Sequence, residues 1–400
     1  SKTPSGAGNR RTFTFSVWLK RGTLTGAEQY ILSASNSASS TKYDFIYFDT
    51  DNCIRIQHHN GSSVEGQLKT NRTFEDTSKW YHLVYRCDTT QSTATDRMRL
   101  YIDGDEITSF SIDTNPSQNY DTDVNDATLQ SLGKPGWHDG VYFDGYMAEV
   151  NLADGQSYGP DTFGITDTST GRWIPKSLGS ITYGTNGYRL TFANSAGQTI
   201  GDDTSGNGND YSVSNLAVEN VTTDSPTQNY PTLNPFVTAN APTLSEGNLR
   251  ALSSTNLKYS LAASTLSWDT SDTTGYYAEF RKNDSTGIGQ NFFNIGCIHT
   301  DGVGRDLDHS NADNPTDGSL VWYENGNMSI SSAGDGTRIQ PGNGTIGAYG
   351  NTGDIMMIAA KGDQVYFGNA SKGVWYSSAG AGQTGNPETG VGGFTLEKKG

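Results

Sequence analysis

The sequence predicts an all-β protein of two β-sandwich domains joined by a Pro-rich extended connector. Three observations carry this. The 400 residues include 48 Gly, and Tyr, Phe and Trp together reach 11%; a turn-rich chain with that aromatic content has strand character, and a disordered chain would lack the aromatics. Period-two alternation recurs along the chain, and about a dozen Asp-Gly or Asn-Gly pairs punctuate it, the density that many short strands with tight turns require. No stretch carries a helical period for more than two turns. A chain of this length suits two or three domains of roughly 100–200 residues each.

The first strand lies in RTFTFSVWLKRG, residues 11–22. Phe13, Phe15, Val17 and Leu19 share one face, and Thr12, Thr14, Ser16, Trp18 and Lys20 share the other. The tryptophan on that polar face has two readings, a ligand platform or a second buried layer. In KYDFIYFDTDNCIRIQHHNG (42–61), Phe45 and Tyr47, then Ile54 and Ile56, alternate. In KWYHLVYRCD (79–88), Tyr81, Leu83 and Tyr85 alternate against Trp80, His82, Val84 and Arg86. DRMRLYIDGDEI (96–107) alternates Met98, Leu100 and Ile102 and then turns at Asp103-Gly104. PDTFGIT (160–166) suits a short helical turn.

The connector is residues 221–248, where Pro226, Pro231, Pro235 and Pro242 stand among polar residues. Proline cannot donate to a ladder, so this segment is expected to be extended and packed along a surface. Strand patterns then resume, and Ile355 to Ala360 is apolar on both faces, as a central strand buried on both sides would be.

The net charge of −16 excludes nucleic acid and anionic membrane surfaces as partners, since both require a basic footprint. It fits a soluble, displayed or secreted protein and supplies oxygen ligands for Ca²⁺. Cys53, Cys87 and Cys297 form no C-x-x-C motif, which leaves no zinc or redox signature. Cys53 and Cys87 either pair or remain buried thiols. No apolar run approaches the ~18 residues of a membrane span, and no signal-peptide pattern is present. A start at Ser1 without Met fits a processed chain or a piece of a longer one.

FTFSVWLKRG, WYHLVYRCDTT, MRLYIDGDEI and FDGYMAEVNLADGQ together resemble the concanavalin A-like, laminin-G-like jelly roll over roughly residues 10–155. In that resemblance Trp18 belongs to the recurring strand pattern, which implies a structural role. NGYRLTFANSAGQTIGDDTSGNGND (186–210) resembles an element that ordinarily precedes the FTFSVW strand; here it follows, and Tyr188, Leu190 and Phe192 alternate as a strand that returns to the same sandwich. GYYAEF, NIGCIH, GDIMMIAAKGDQVYFGN and KGVW resemble a SPRY-like sandwich, with Gly368 to Gly373 replacing the usual Asn-Gly turn. That sandwich is expected to close beyond Gly400 or with a partner segment. The combination with the DSPTQNYPTLNP connector resembles virion appendage proteins of tailed bacteriophages, marine ones in particular. The expected organisation is a jelly roll over 1–160, a returning segment and connector packing on it over 161–243, and a SPRY-like sandwich over 244–400.

Candidate sites follow. Asp202, Asp203, Asn207, Asn209 and Asp210 crowd one glycine-containing loop, which reads either as a Ca²⁺ cradle or as an Asx-rich turn. The resemblance adds Glu149 to the metal set. Asp301, Asp306, Asp308, Asp313 and Asp317 form a second acidic stretch, read as a cation or partner site or as a solvated loop. A glycan site needs an aromatic face beside polar groups; Trp137, His138, Asp139 and Tyr142 offer one, Trp322 and Tyr323 (with Glu324 and Asn325) another, and Trp173 and Trp375 are further candidates, each alternatively core or interface. Glycosidases on this fold need paired carboxylates, which the resemblance implies as Glu-x-Asp-x-x-Glu; Glu149 and Glu279 each stand alone, and neither zincin histidines, a nucleophile elbow nor a Walker loop occurs. The expectation is therefore a non-enzymatic virion protein, a tail or head fibre on the particle surface, homo-oligomeric and trimeric by analogy, associated with other virion proteins and adsorbing to bacterial surface glycan or receptor. The alternatives are a ligand-free capsid decoration or fibre shaft, and a secreted carbohydrate-binding adhesin or glycan-degrading enzyme.

Overall fold

The computed structural model describes residues 1–35, 41–136, 138, 140–193, 197–239, 242–252, 261–283, 294–297, 320–323, 328–331, 338–339, 352–378 and 383–396. The chain divides into two compact units, Ser1–Pro235 with Leu244–Arg250, and Phe236–Thr243 with Ala251–Gly400.

The first unit contains β1 (Thr12–Arg21), β2 (Gln29–Ser35), β3 (Lys42–Phe48), β4 (Cys53–Asn60), β5 (Val64–Thr73), β6 (Tyr81–Asp88), β7 (Met98–Ile102), β8 (Asp105–Glu106), β9 (Phe110–Thr114), β10 (Leu129–Leu132), β11 (Gly145–Asp154), β12 (Gly164–Thr166), β13 (Trp173–Pro175) and β14 (Tyr188–Leu190). Two six-stranded sheets face each other, ordered β14-β11-β1-β6-β7-β8 and β10-β2-β3-β4-β5-β9. Pairings are antiparallel throughout the two sheets. The core between them holds Phe13, Phe15, Val17 and Leu19 from β1, Leu83 and Tyr85 from β6, and Ile46, Phe48, Ile54 and Ile56 from the opposite sheet. The β7–β8 hairpin turns at Asp103 (φ 55°) and Gly104 (φ 92°), two left-handed residues in succession as a tight turn between right-twisted strands demands.

The other face of β1 is buried as well. Thr14, Ser16 and Lys20 are fully covered and Trp18 is 2% exposed. The cover is the chain after β11. Thr14 Oγ1 donates to the Gln156 carbonyl (2.8 Å). Trp18 stacks on His82 of β6 at 4.4 Å and 12°. Trp173 Nε1–H donates to His82 Nδ1 (2.9 Å), so the remaining His82 proton sits on Nε2 and is given to Ser16 Oγ (2.9 Å). Phe163, with Tyr158, Leu178 and Ile181, packs on Val84 and Tyr101 of the same outer face. Residues 224–230 close over Lys20. The returning strand β14 pairs with β11, Leu152 opposite Tyr188 and Val150 opposite Leu190, and both partners from β14 enter the core. Cys53 and Cys87 are buried free thiols, as is Cys297 in the second unit.

The second unit has one sheet of Gly275–Arg281, Ile355–Lys361, Gln364–Asn369 and Val374–Trp375 in that order, with Phe394–Thr395 on Gln364–Asn369, and a four-stranded sheet of Asn294–Cys297, Leu320–Tyr323, Met328–Ser331 and Arg338–Ile339. Ile355–Lys361 is central in its sheet and largely buried. After Asn369 a single 3₁₀ turn, Ala370–Lys372, is capped by the Asn369 side chain accepting from Lys372 N–H (3.0 Å). Gly373 (φ 66°) ends it, because the reversal needs a left-handed residue.

Burial lowers the His82 pKa from 6.5 to about 3. A histidine held neutral in the fold and free to protonate when unfolded contributes stability that is complete above pH 6.5 and is lost as pH falls toward 3. By pH 5 the loss is about 2 kcal/mol. Urea unfolding between pH 7.5 and 5 checks this: His82→Gln is expected to be less stable at pH 7.5 and to lack that part of the slope.

Candidate ligand-binding face

The two sheets differ in what covers them. On β3 the pleat sends Ile46 and Phe48 into the core and Tyr43, Phe45 and Tyr47 to the outside. The ladder sets these outer residues in cross-strand rows: Ser35, Tyr43 and His59; Ser33, Phe45, Gln57 and Gln67; Tyr30, Tyr47, Arg55 and Lys69.

The rings form a continuous surface. His59 stacks on Tyr43 at 5.0 Å and 17°. Tyr43 stacks on Phe45 at 4.1 Å and 7°. Phe45 meets Tyr30 edge-on at 5.0 Å, and Tyr30 stacks on Tyr47 at 4.9 Å and 10°. Tyr43 and His59 are half-buried, while Phe45, Tyr47 and Tyr30 lie deeper. At one end the Arg55 guanidinium stands 6.0 Å over the Tyr47 ring and pairs with Asp49 (3.2 Å), which also takes Lys69 (2.9 Å). Lys69 reaches Asp51 as well (2.8 Å). Burial would raise the Asp49 pKa, but the bonds from Lys69 and the Thr50 N–H outweigh it and hold the carboxyl below its usual value. Burial first, then the Glu28 carboxylate that accepts the Tyr30 O–H (2.9 Å), raise the Tyr30 pKa far above its ordinary value. Burial likewise raises Tyr43 and Tyr47. The phenols are therefore neutral at any working pH; Phe45, Tyr47 and Tyr30 are only 3–5% exposed, so the face presents the half-buried Tyr43 and His59 with the Arg55 guanidinium. That combination suits the C–H faces and hydroxyls of a sugar.

The loop after β10, where the sequence put a glycan corner, borders this face. Tyr30 N–H donates to the Val141 carbonyl (3.5 Å), and Val141 packs on the Tyr30, Phe45 and Tyr47 cluster. His138 is exposed. Tyr142 is 48% exposed, with Lys134 Nζ 5.8 Å from its ring. Trp137 and Asp139 lie outside the described residues. The second proposed platform needs correction. Trp322 is fully buried in the second unit, edge-on to Tyr376 at 5.0 Å and tilted on Phe367 at 5.6 Å; a ring enclosed by core rings has no face for a sugar. The Tyr323 side chain, Glu324, Asn325 and the acidic stretch from Asp301 to Asp317 lie outside the described residues. Trp173 is tied to His82, and Trp375 meets Tyr277 at 6.3 Å.

The loop of residues 199–210 is organised by Asp203. Its Oδ1 accepts the N–H of Arg189 and of Ser205 (both 2.8 Å). Its Oδ2 accepts Ser205 Oγ–H (2.8 Å) and Asn209 N–H (2.9 Å). Asp210 accepts Asp203 N–H (2.8 Å), and Asp202 accepts both the N–H and the hydroxyl of Thr199 (2.7 and 2.5 Å). Asn207 and Asn209 give their amide N–H groups to the Gly184, Thr185 and Gly187 carbonyls. Glu149 sits at a bulge where β1 and β11 shift register, with φ 47°, and its Oε2 takes Nε and Nη2 of Arg189 (3.0 and 2.8 Å). Of the set that the sequence assigned to Ca²⁺, Asp202, Asp203, one oxygen of Asp210 and one oxygen of Glu149 thus accept hydrogen bonds from N–H groups, hydroxyls and a guanidinium. Among the described residues no group of three or more His, Cys, Asp or Glu side chains is placed to hold a metal ion.

Comparisons with known proteins bear on the fold of the first unit. Residues 1–156 match the family described as the concanavalin A-like lectin/glucanases superfamily. The first unit is an all-β sandwich that resembles the concanavalin A-like jelly roll. The match ends before β14, so the returning strand lies outside it. Among solved structures, the chain is similar to the heptameric SAP-like pentraxin of Limulus polyphemus (15% identity, TM-score 0.27, 38% of this chain and 67% of that one). It is similar to domain 4 of a GH43 extracellular arabinanase from Geobacillus stearothermophilus, solved with arabinotriose (17%, 0.28, 39% and 66%). A third is the CBM40 of the Ruminococcus gnavus IT-sialidase (13%, 0.28, 40% and 91%). The chain thus spans about two thirds of the first two. No curated protein sequence matches the chain. Among the described residues no helix is long and apolar enough to cross a membrane.

The aromatic face escaped the sequence reading because β3 is apolar on both faces. Alternation alone does not say which set points inward. The signal was in β4, where Ile54 and Ile56 are the apolar set and Arg55, Gln57 and His59 the polar one; pairing Ile46 with Ile56 leaves Tyr43, Phe45 and Tyr47 outside.

Asp203→Ala removes the acceptor of four hydrogen bonds. It is expected to cost about 2 kcal/mol or more and to lower the Tm of the first unit by roughly 4–8 °C. Scanning calorimetry with Ca²⁺ and with EDTA checks the rest: the wild-type Tm is expected to be the same in both, and a Ca²⁺-dependent rise would restore the cradle reading.

Proposed function

We propose that the chain is a non-enzymatic saccharide-binding module of an extracellular adsorption protein, with the outer face of β2–β5 as its binding surface. The observation that carries this is the stacked series His59, Tyr43, Phe45, Tyr30 and Tyr47 with Arg55, Gln57 and Gln67 in the same rows. A saccharide lying along the half-buried Tyr43 and His59 would meet their ring edges, with the Tyr43 hydroxyl, the imidazole and the Arg55 guanidinium as polar partners. The chemistry is recognition alone, because the face presents neutral phenols and paired charges rather than a poised acid and base. This is the carbohydrate-binding adhesin reading. The resemblance of residues 3–22 and of the connector to tailed-phage proteins supports carriage on a virion fibre, where repeated copies would raise avidity, and the second unit is read as a SPRY-like sandwich. Calcium has no part in this recognition.

A bacterial surface-glycan array, run with Ca²⁺ and with EDTA, tests the proposal. Saccharide-selective binding is expected in both buffers, reduced at least about tenfold by Tyr43→Ala with the far-ultraviolet circular dichroism unchanged. Selective binding that Tyr43→Ala leaves intact would move the site elsewhere, and no binding to any saccharide would favour the ligand-free structural reading.

A further inference from the structure

Lys20 is a central-strand residue whose side chain is fully buried, and Asp224 beside it is 7% exposed. The ammonium meets three oxygens, all from the connector: Asp224 Oδ2 (2.8 Å), Asn229 Oδ1 (2.8 Å) and the Tyr230 carbonyl (2.6 Å). The two side chains are fixed by further bonds. Asn229 Nδ2 donates to the Ser78 carbonyl (2.6 Å), which turns its amide oxygen toward Lys20. Asp224 Oδ1 accepts Trp80 Nε1–H (3.0 Å) and Tyr230 N–H (3.2 Å), which leaves Oδ2 for the ammonium. Aromatic rings wall the site: Tyr146 lies 5.8 Å from Nζ and Trp80 is 6.2 Å from Tyr146.

We propose that Lys20 and Asn229 are the two ends of an intramolecular isopeptide bond that the folded protein forms by itself, with Asp224 as the proton carrier. An amine, a side-chain amide and a carboxylate held together in a buried site are the complete set of reactants. Asp224 takes a proton from the Lys20 ammonium. The freed Nζ lone pair attacks Asn229 Cγ, and a C–N bond forms. Asp224 hands that first proton to Nδ2 and takes the second one released from Nζ; the Cγ–Nδ2 bond breaks, the departing ammonia takes the second proton from Asp224, and the product is a Lys20–Asn229 amide with ammonium released and Asp224 again ionised. No oxidant or cofactor is required. Burial, the largest influence, pulls the Lys20 pKa down against the opposing pull of Asp224, which favours the free amine. Fixed geometry supplies the effective concentration that an unactivated amide needs. The product also replaces a buried charge with a neutral amide.

Intact-mass spectrometry of the denatured full chain is the test. The wild type is expected about 17 Da below its sequence mass, the loss of one ammonia, and tryptic mapping is expected to find the peptides of Lys20 and Asn229 joined. Lys20→Arg, Asn229→Ala and Asp224→Asn are expected at their full sequence masses. A wild type at full mass overturns the proposal, and this reading does not depend on any variant folding. Loss of one water with a Lys20–Asp224 link, or a loss of ammonia mapped elsewhere, overturns the Asn229 assignment. Loss of ammonia in Asp224→Asn overturns the proton-carrier role.

Discussion

The constraint on which the first unit depends is that β1 lies in a sheet buried on both faces. The inner face of Phe13, Phe15, Val17 and Leu19 gains from burial without further conditions. The outer face of Thr14, Ser16, Trp18 and Lys20 does not, because each polar group must find a partner once water is gone. Every partner comes from the sheet itself or from chain beyond β11: Gln156 for Thr14, His82 for Ser16, Asp224, Asn229 and Tyr230 for Lys20. The segment that looks like a connector in the sequence is therefore a structural layer of the jelly roll. An ammonium taken fully out of water costs several kcal/mol unless matched, so residues 224–230 and β1 specify one another.

Trp18 follows from the same constraint. A ring on the polar side of a strand marks a ligand platform only where that side meets solvent. Here it stacks on a histidine whose two nitrogens are both engaged. The His82 tautomer is set by Trp173, a residue ninety-one positions away, so the outer layer and the sheet are joined by a bond that is lost when the imidazole accepts a second proton.

How much was legible in the sequence depended on whether a segment had one apolar face or two. β1, β6 and β7 alternate cleanly, and their inward sets are those the alternation gives. The returning Tyr188 and Leu190 were readable for the same reason. β3 was not, since Tyr43, Phe45 and Tyr47 are as apolar as Ile46 and Phe48, and only the partner strand breaks the tie. Trp322 sat in a strand with similar ambiguity and proved to be core. The loop of residues 199–210 shows a different limit. Asp and Asn in a glycine-rich loop can bind a cation or bind the loop's own backbone, and composition is identical in the two cases. In the structure Arg189 pairs its guanidinium with Glu149 and gives its N–H to Asp203; neither contact has a sequence signature.

The two sheets thus divide the work. One is sealed on its outer side by the chain's own later segments, which use the polar face of β1 as their anchor. The other carries on its outer side a row of rings with polar edges, reached by the loop after β10 at Tyr30 and at Ser33, whose hydroxyl donates to the Lys134 carbonyl (3.1 Å). Aromatic residues are costly to leave at a surface without a partner, and stacking among themselves covers Phe45, Tyr47 and Tyr30 more completely than Tyr43 and His59. Tyr43 and His59, the more exposed members of that row, pair opposite each other toward the end of the β3–β4 ladder. The half-open rings stand on a sheet rather than on a loop, so a ligand bound there as proposed would meet a surface already ordered.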